Sequence, residues 1–420
     1  MTALVRADAA RLPLADGSVD LIVTSPPYFA LRSYTDGGEH YDGQIGSEPT
    51  PQEFLEALWA VTAECKRVLK PSGSMFVNLG DKYAGSGGHN NSNLEGNTSR
   101  AKATPTAGAA RRSAPDRYNQ AAIGGARPKS LMGLPWRYAI GCIDQLDLIL
   151  RAEIVWSKPN GLPESVTDRV RRSHEQWFHF TREGRYYSGV DEIREPYSPY
   201  AHDPGDAAWG DASYDTWGTD GTQSLSHQPG TRTPPHPLGK LPGSVWSIPA
   251  EPLTVPDHLG VDHFAAFPQE WPRRLILGWS PPGICVECGE GRRPVGQVAA
   301  IDDRRGRVQG RAGDSLAKAH GPDGRSGERY SASVVSQGYG CACGDAPSAP
   351  TRPAVVLDPF AGTGTTVMVA RALGRHGVGV DLSGDYLRLA RWRIWESGAA
   401  RKTIERTNRE RQGALFGGAA

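Results

Sequence analysis

Asp358-Pro359-Phe360-Ala361-Gly362-Thr363-Gly364-Thr365-Thr366 follows a short apolar run, Ala354-Val355-Val356-Leu357, and opens the helix-forming stretch TTVMVARALGR. The run lacks polar alternation and reads as a buried parallel strand; the string after it reads as a turn into a helix. Gly362 and Gly364 let the backbone pass close to a ligand, and the helix N-terminal amides around Thr365 and Thr366 suit a carboxylate or phosphate. A second strand, Gly377-Val378-Gly379-Val380, ends in Asp381. It lies about 20 residues beyond the glycines, where an acid accepts hydrogen bonds from ribose hydroxyls. A glycine turn with a downstream acid is shared by many nucleoside-binding proteins, so this string alone does not name a reaction.

At the other end of the chain, Val19-Asp20-Leu21-Ile22-Val23 reads as a strand that delivers Thr24-Ser25-Pro26-Pro27-Tyr28 to the carboxyl edge of the sheet, where open α/β folds bind ligands. The two prolines fix the backbone and remove donors while leaving carbonyls free to accept. An exocyclic amino nitrogen of cytosine or adenine is a poor nucleophile because its lone pair is delocalised into the ring. The Ser25 hydroxyl and the Pro26 carbonyl suit its two hydrogens, favouring a tetrahedral nitrogen. Tyr28 offers a flat face to a base flipped from the duplex.

These motifs, in this order, resemble the β-class DNA amino-methyltransferases of the N4-cytosine/N6-adenine type. The resemblance covers Leu4 to Tyr83, Ser130 to Pro196, Ser244 to Pro281 and Val355 to Ile394. It implies that the loop from Asp358 to Thr366, with Phe360, Gly362, Gly364, Thr365 and Thr366, binds S-adenosylmethionine. By the same resemblance Asp381 holds the ribose, Asp8 approaches the adenine, and Thr24 is counted with the cofactor residues. Ser25, Pro26 and Tyr28 would bind the target base, with Pro27 completing the loop. Trp156-Ser157-Lys158-Pro159-Asn160-Gly161-Leu162-Pro163-Glu164-Ser165, then Asp168-Arg169 and Arg172-Ser173-His174-Glu175, looks like the family's block near the flipped base. Lys158, Asn160, Arg169, Arg171 and Arg172 are the DNA-binding candidates from it. His263-Phe264-Ala265-Ala266-Phe267-Pro268, with Phe264 and Pro268, looks like the segment that closes over the cofactor's methionine end. The implied architecture is α/β: a circularly permuted Rossmann-like sheet, mostly parallel, of about seven strands.

Composition fits a soluble intracellular enzyme. With 47 Lys and Arg against 46 Asp and Glu, the net charge is +1, which excludes a globally basic nucleic-acid binder but not a basic cleft. No apolar run approaches about 18 residues and no basic-then-apolar leader opens the chain, so a cytoplasmic location without a membrane span is expected.

The chain divides as follows. Residues 1–83 and 128–186 form the catalytic half, and 84–127 a flexible low-complexity loop. Residues 187–243, rich in Gly, Pro, Trp and His, take the target-recognition place in the chain order of the family. A cofactor-closing segment and helix occupy 244–281, an insertion 282–352, the cofactor half 353–397 and a tail 398–420. Within the first half a helix is expected over Pro51 to Leu69, a stop and turn at Lys70-Pro71-Ser72-Gly73, and a strand over Ser74 to Leu79.

Cys285, Cys288, Cys341 and Cys343 fall in two close pairs. In a chain expected to stay in the cytoplasm such pairs read as a tetrahedral zinc site rather than disulfides, and four thiolates leave no position for a catalytic water. The zinc is therefore expected to be structural, at the base of a hairpin-like insertion whose middle, Ala300 to Arg329, is polar and glycine-rich. Cys65 and Cys142 lie on apolar helix faces and are expected in the core.

The expected function is site-specific transfer of a methyl group from S-adenosylmethionine to N4 of cytosine in double-stranded DNA. Serine first in the loop favours cytosine by family resemblance; N6 of adenine is the alternative. A catalytically silent zinc-containing DNA-binding protein, and an enzyme acting on RNA or protein, are the other classes weighed. A cognate restriction endonuclease is a candidate partner, and oligomeric state stays open.

Overall fold

The computed structural model describes residues 2–31, 35–36, 39–40, 43–84, 127, 129–161, 163–196, 239–253, 255–261, 267–302, 330–341, 343, 349–398 and 404–405. The expected low-complexity loop, most of the recognition region and the tail lie outside these residues. Two compact units emerge: residues 1–187, 244–283 and 353–420 form one, and residues 188–243 and 284–352 the other.

The first unit is a mixed α/β domain around a mostly parallel sheet. Its strands are β1 (Ala3–Arg6), β2 (Val19–Thr24), β5 (Leu69–Leu79), β6 (Ile149–Ser157), β7 (His174–Thr181), β8 (Val245–Ser247), β13 (Val355–Asp358) and β14 (His376–Asp381). They lie in the order β1-β14-β13-β2-β5-β7-β6-β8. β7 alone runs against its neighbours β5 and β6; every other pairing in this sheet is parallel. Eight strands replace the roughly seven expected because Val245–Ser247 adds a short edge strand beside β6. A two-residue pairing of β3 (Thr35–Asp36) with β4 (Glu39–His40) stands apart from the sheet.

Helix α1 (Pro51–Val68) starts as its sequence dictates: Pro51 opens it, and Thr50 and Glu53 form a reciprocal capping box. Its face Phe54, Leu55, Leu58, Trp59, Val61 and Cys65 is buried, and α2 (Leu134–Asp144) packs beside it with Tyr138 and Cys142 buried. Alternation along β5 then assigns its two faces. Met75, Val77 and Leu79 belong to the core shared with α1 and α2, while Phe76 stacks on His179 at 4.2 Å and meets Trp279 at 4.8 Å. Trp279 ends α3 (Glu270–Trp279), whose buried Trp271 stacks on Trp177 and Trp246 at 4.8 and 5.0 Å. Burial holds His179 neutral, its pKa lowered to about 3. Two further helices, α4 (Thr365–Ala372) and α5 (Gly384–Trp395), follow β13 and β14.

The expected turn at Lys70 to Gly73 is instead a bulge inside β5. The helix does stop, with Leu69 extended. Leu69 pairs with Val19 and Ser74 with Leu21, so the four residues Lys70 to Gly73 of β5 lie against Asp20 alone of β2, and the extra chain bows outward at Pro71 and Ser72, which are exposed. Lys70 folds back onto the buried Asp20, whose other oxygen accepts the Val355 amide at 2.8 Å. Burial of Cys65 and Cys142 matches expectation.

The second unit holds a two-stranded pairing of β9 (Ile284–Cys285) with β12 (Thr351–Arg352) and a longer antiparallel ribbon of β10 (Arg293–Asp302) with β11 (Tyr330–Gly340). Ala300 to Asp302, at the start of the polar, glycine-rich middle of the expected hairpin-like insertion, thus belong to a strand; residues 303–329 lie outside the described ones.

Candidate active site

The carboxyl ends of β1, β2, β13 and β14 lie side by side, and the chain after each turns around one cavity. Asp8, Ser25, Pro27, Phe360, Gly362 and Asp381, all picked out in the sequence, line it. Gln44, Ile45, Leu382 and Tyr386 line it as well. These were missed: the first two sit in a segment without periodicity, the others just past a recognised motif.

The Asp381 carboxylate faces this cavity with its oxygens held by amides, Gly362 on one at 2.8 Å and Ser383 on the other at 2.9 Å. Burial raises its pKa, against the pull of those same amides. Gly362 has φ +48 and nothing closer than 3.9 Å to an added Cβ, so its surroundings leave space for a ligand at the backbone. Asp8 accepts the Ala10 amide at 2.8 Å.

Thr24, Asp358, Thr365 and Thr366 are buried beneath the loops rather than on the cavity wall. Thr24 donates to Asp358 at 2.8 Å, the Phe360 amide donates to the same carboxylate at 3.1 Å, and Thr366 donates to the Val23 carbonyl at 3.3 Å. Burial pushes the Asp358 carboxyl up to about 6. Arg393 reaches from α5 to donate to the Thr363 and Thr365 hydroxyls at 2.7 and 2.6 Å. Gly364, with φ +73, sits so close to α5 that an added Cβ would lie 2.9 Å from the Ala390 Cβ. It therefore serves helix packing as well as the turn. Pro268 lines a different cleft, with Glu251, Gln269 and Arg273; Phe264 lies outside the described residues.

The Ser25 to Tyr28 loop is bound to the next strands. The Ser25 hydroxyl donates to Asn78 Oδ1 at 3.2 Å, and the Tyr28 hydroxyl lies 2.8 Å from that oxygen and 2.8 Å from Glu175 Oε2. Asn78 Nδ2 donates to the Gln176 carbonyl at 3.0 Å, which fixes which side of the amide faces the loop. Because Asn78 Oδ1 accepts the hydrogen bond of the Ser25 O–H, the serine oxygen presents lone pairs outward, the polarity that an amino group needs. Asn78 was not singled out in the sequence, and Glu175 was named only within a block near the flipped base, without a role, since β5 and β7 bring the two together from 97 positions apart.

Four of the five DNA-binding candidates have partners within the unit. Lys158 pairs with Glu175. Asn160 bridges the Ala250 backbone in both directions, at 3.0 and 2.7 Å. Arg169 pairs with Glu164 at 2.8 Å and covers the Tyr83 ring at 3.9 Å, and Arg171 donates to the Gly161 carbonyl at 3.1 Å. Arg172 has a buried Nη1 with no hydrogen-bond partner.

In the second unit the sulfurs of Cys285, Cys288, Cys341 and Cys343 all lie within 4.8 Å of one another. The amides of Cys288 and Glu287 turn toward Cys285 and lower its thiol to about 6.

Comparison with known proteins agrees with the geometry. The DNA methylase family profile, of N6 and N4 type, matches residues 19–286 and 351–391. The type II methyltransferase M.XycI of Xanthomonas campestris pv. cyanopsidis is 40% identical over 194 residues, covering 44% of this chain and 55% of that protein. M.Cfr9I of Citrobacter freundii is 34% identical over 296 residues, 70% of this chain and 77% of the relative. Among solved structures, PvuII DNA methyltransferase (cytosine-N4-specific) superposes with a TM-score of 0.50 at 14% identity, over 98% of this chain and 93% of that one, a likeness of fold. The sheet, the paired loops and this match over most of the chain agree: the protein belongs to the N6/N4 DNA methylase family.

Proposed function

We propose that this protein methylates N4 of cytosine within a short motif of double-stranded DNA, with S-adenosylmethionine as donor. The observation that carries the reading is the Ser25 hydroxyl, turned into an acceptor by Asn78 on a cavity that also contains Phe360, Gly362 and Asp381. The cavity suits the cofactor: apolar walls at Ile45, Phe360 and Leu382 for a purine, a carboxylate at Asp381 for ribose hydroxyls, and open backbone at Gly362. When bound, the cofactor supplies a methyl group on an electron-poor sulfonium. Ser25 and the Pro26 carbonyl accept the amino hydrogens and localise the lone pair; Tyr28 stacks the flipped base. Thr24, Asp358, Thr365 and Thr366 hold the loops in register from beneath.

The order of loops along the chain, target-base loop first, supports reading the sheet as circularly permuted. Residues 187–243 are the candidate reader of the DNA motif, and the relatives' type II naming supports a cognate endonuclease as partner. We also assign the four cysteines to a structural zinc ion. A tetrahedral ZnS4 centre with bonds of about 2.3 Å has sulfurs about 3.8 Å apart, and Cys285 and Cys343 stand at 3.8 Å.

The test is single-molecule sequencing of DNA from a methylation-free bacterial host expressing the chain, beside a Ser25→Ala control. Modified cytosines in one motif, absent from the control, are the expected result. Modified adenines overturn the base assignment, and unmodified DNA overturns the activity.

A further inference from the structure

The contacts of Tyr28 do not end at Asn78. Its hydroxyl shares one proton between two acceptors, Asn78 Oδ1 and Glu175 Oε2, each at 2.8 Å. The other Glu175 oxygen pairs with Lys158. The Lys158 ammonium in turn stands over the Trp156 ring, 4.1 Å from its centre, and Trp156 is anchored by a 2.7 Å hydrogen bond to the Ile248 carbonyl. A continuous line of directional contacts therefore runs from the buried Trp156 to the rim of the tyrosine ring. The ring is confined as well: a Cβ added to Gly80 would fall 2.7 Å from Tyr28 Cε2 and 3.1 Å from its Cδ2, so only a glycine fits beside it.

We infer that Glu175 and Lys158 are positioning residues that set the tilt of the Tyr28 ring, and that Lys158 is not a phosphate contact. The inference rests on the reading above that Tyr28 stacks the target base. Three physical points support it. A carboxylate is a stronger acceptor than an amide carbonyl, so Glu175 is the partner that fixes where the phenol points. A bare carboxylate beside a site that receives polyanionic DNA would repel it; Lys158 neutralises Glu175 at contact distance. Both side chains are mostly buried, at 23% and 17% exposure, so the pair is shielded from salt and held in one geometry. The residue types fit this work better than DNA binding, for which the ammonium would have to leave both the carboxylate and the ring.

The experiment compares Tyr28→Phe, Glu175→Ala, Glu175→Gln and Lys158→Met, with the double variant Tyr28→Phe/Glu175→Ala. Single-turnover methylation, DNA affinity against salt, and cofactor binding are read for each, the last showing that the fold is kept. Expected are about tenfold or greater falls in single-turnover rate at saturating DNA for Tyr28→Phe, Glu175→Ala and Lys158→Met, with DNA affinity and its salt slope unchanged in Tyr28→Phe; Lys158→Met, which bares Glu175, binds DNA more weakly but keeps its rate loss when DNA is saturating. Glu175→Gln keeps an acceptor for Tyr28 and is expected between wild type and Glu175→Ala. The double variant should be no slower than Tyr28→Phe, because the carboxylate acts through the hydroxyl already removed. A phosphate-contacting Lys158 would instead flatten the salt slope by about one in Lys158→Met and leave the rate alone; that result overturns the inference. So does a double variant whose loss is the product of the single losses. A wild-type chain that methylates no DNA overturns the reading beneath it, whereas either of the other results in an active enzyme overturns only the pair.

Discussion

Thr24 and Asp358, 334 positions apart in the chain, share a 2.8 Å hydrogen bond in the middle of the sheet. Each stands at the last residue of its strand, so the bond joins the base of the Ser25 to Tyr28 loop to the base of the glycine loop. Replacing Thr24 with Val keeps the shape, removes the donor and leaves a fully buried carboxylate short of a partner. The expected cost is about 2 kcal/mol. A urea midpoint equal to that of wild type would show that the bond contributes nothing.

The same carboxylate gives a pH dependence. Asp358 titrates near 6 in the fold against an ordinary 3.8. A raised acid binds more protons folded than unfolded between those values, so its contribution is full below about pH 3.8 and lost as pH rises through about 6. Converted, that loss is about 3 kcal/mol. The stability of wild type relative to Asp358→Asn should fall by that order between pH 4 and 7, read by denaturant unfolding at each pH; parallel curves would refute it.

Gly80→Ala tests the seat of the Tyr28 ring. A methyl 2.7 Å from Cε2 cannot be accommodated without moving the ring, because backbone lies on the glycine side. Methylation is expected to drop at least about tenfold while the thermal midpoint changes little. Unchanged turnover would mean that ring placement is not critical.

For the cysteines, protein purified without added metal should carry about one zinc per chain by atomic emission. Cys288→Ser, at the exposed corner of the cluster, should release it to a colorimetric chelator much faster. Zinc-free wild type would dismiss the assignment. The first unit contains none of these ligands, so cofactor binding should survive the substitution.

Much of the site was legible because its signals are local. β2, β13 and β14 are short apolar runs followed at once by proline or glycine turns or an acid, and one cavity gathers Ser25, Pro27, Phe360, Gly362 and Asp381. What was not legible depends on partners far along the chain. Asn78 faces the Ser25 loop only because β5 lies beside β2, and Glu175 reaches Tyr28 only because β7 runs back alongside β5. Lys70 to Gly73 misled for another reason: proline, serine and glycine punctuate a bulge as readily as a turn. Thr365 and Thr366 carried the right motif, yet burial turns their hydroxyls to the scaffold and not the cavity.

The sheet order has a cost during synthesis. β14 lies between β1 and β13, and β13 pairs with β2. β1 therefore has no neighbour in the sheet, and β2 lacks one of its two, until residues 355–381 have left the ribosome. At about 5–20 residues per second the N-terminal strands wait on the order of 20 s or longer with open edges. β2, buried along its whole length in the finished fold, spends that interval with one edge open to a wrong partner until the last strands arrive.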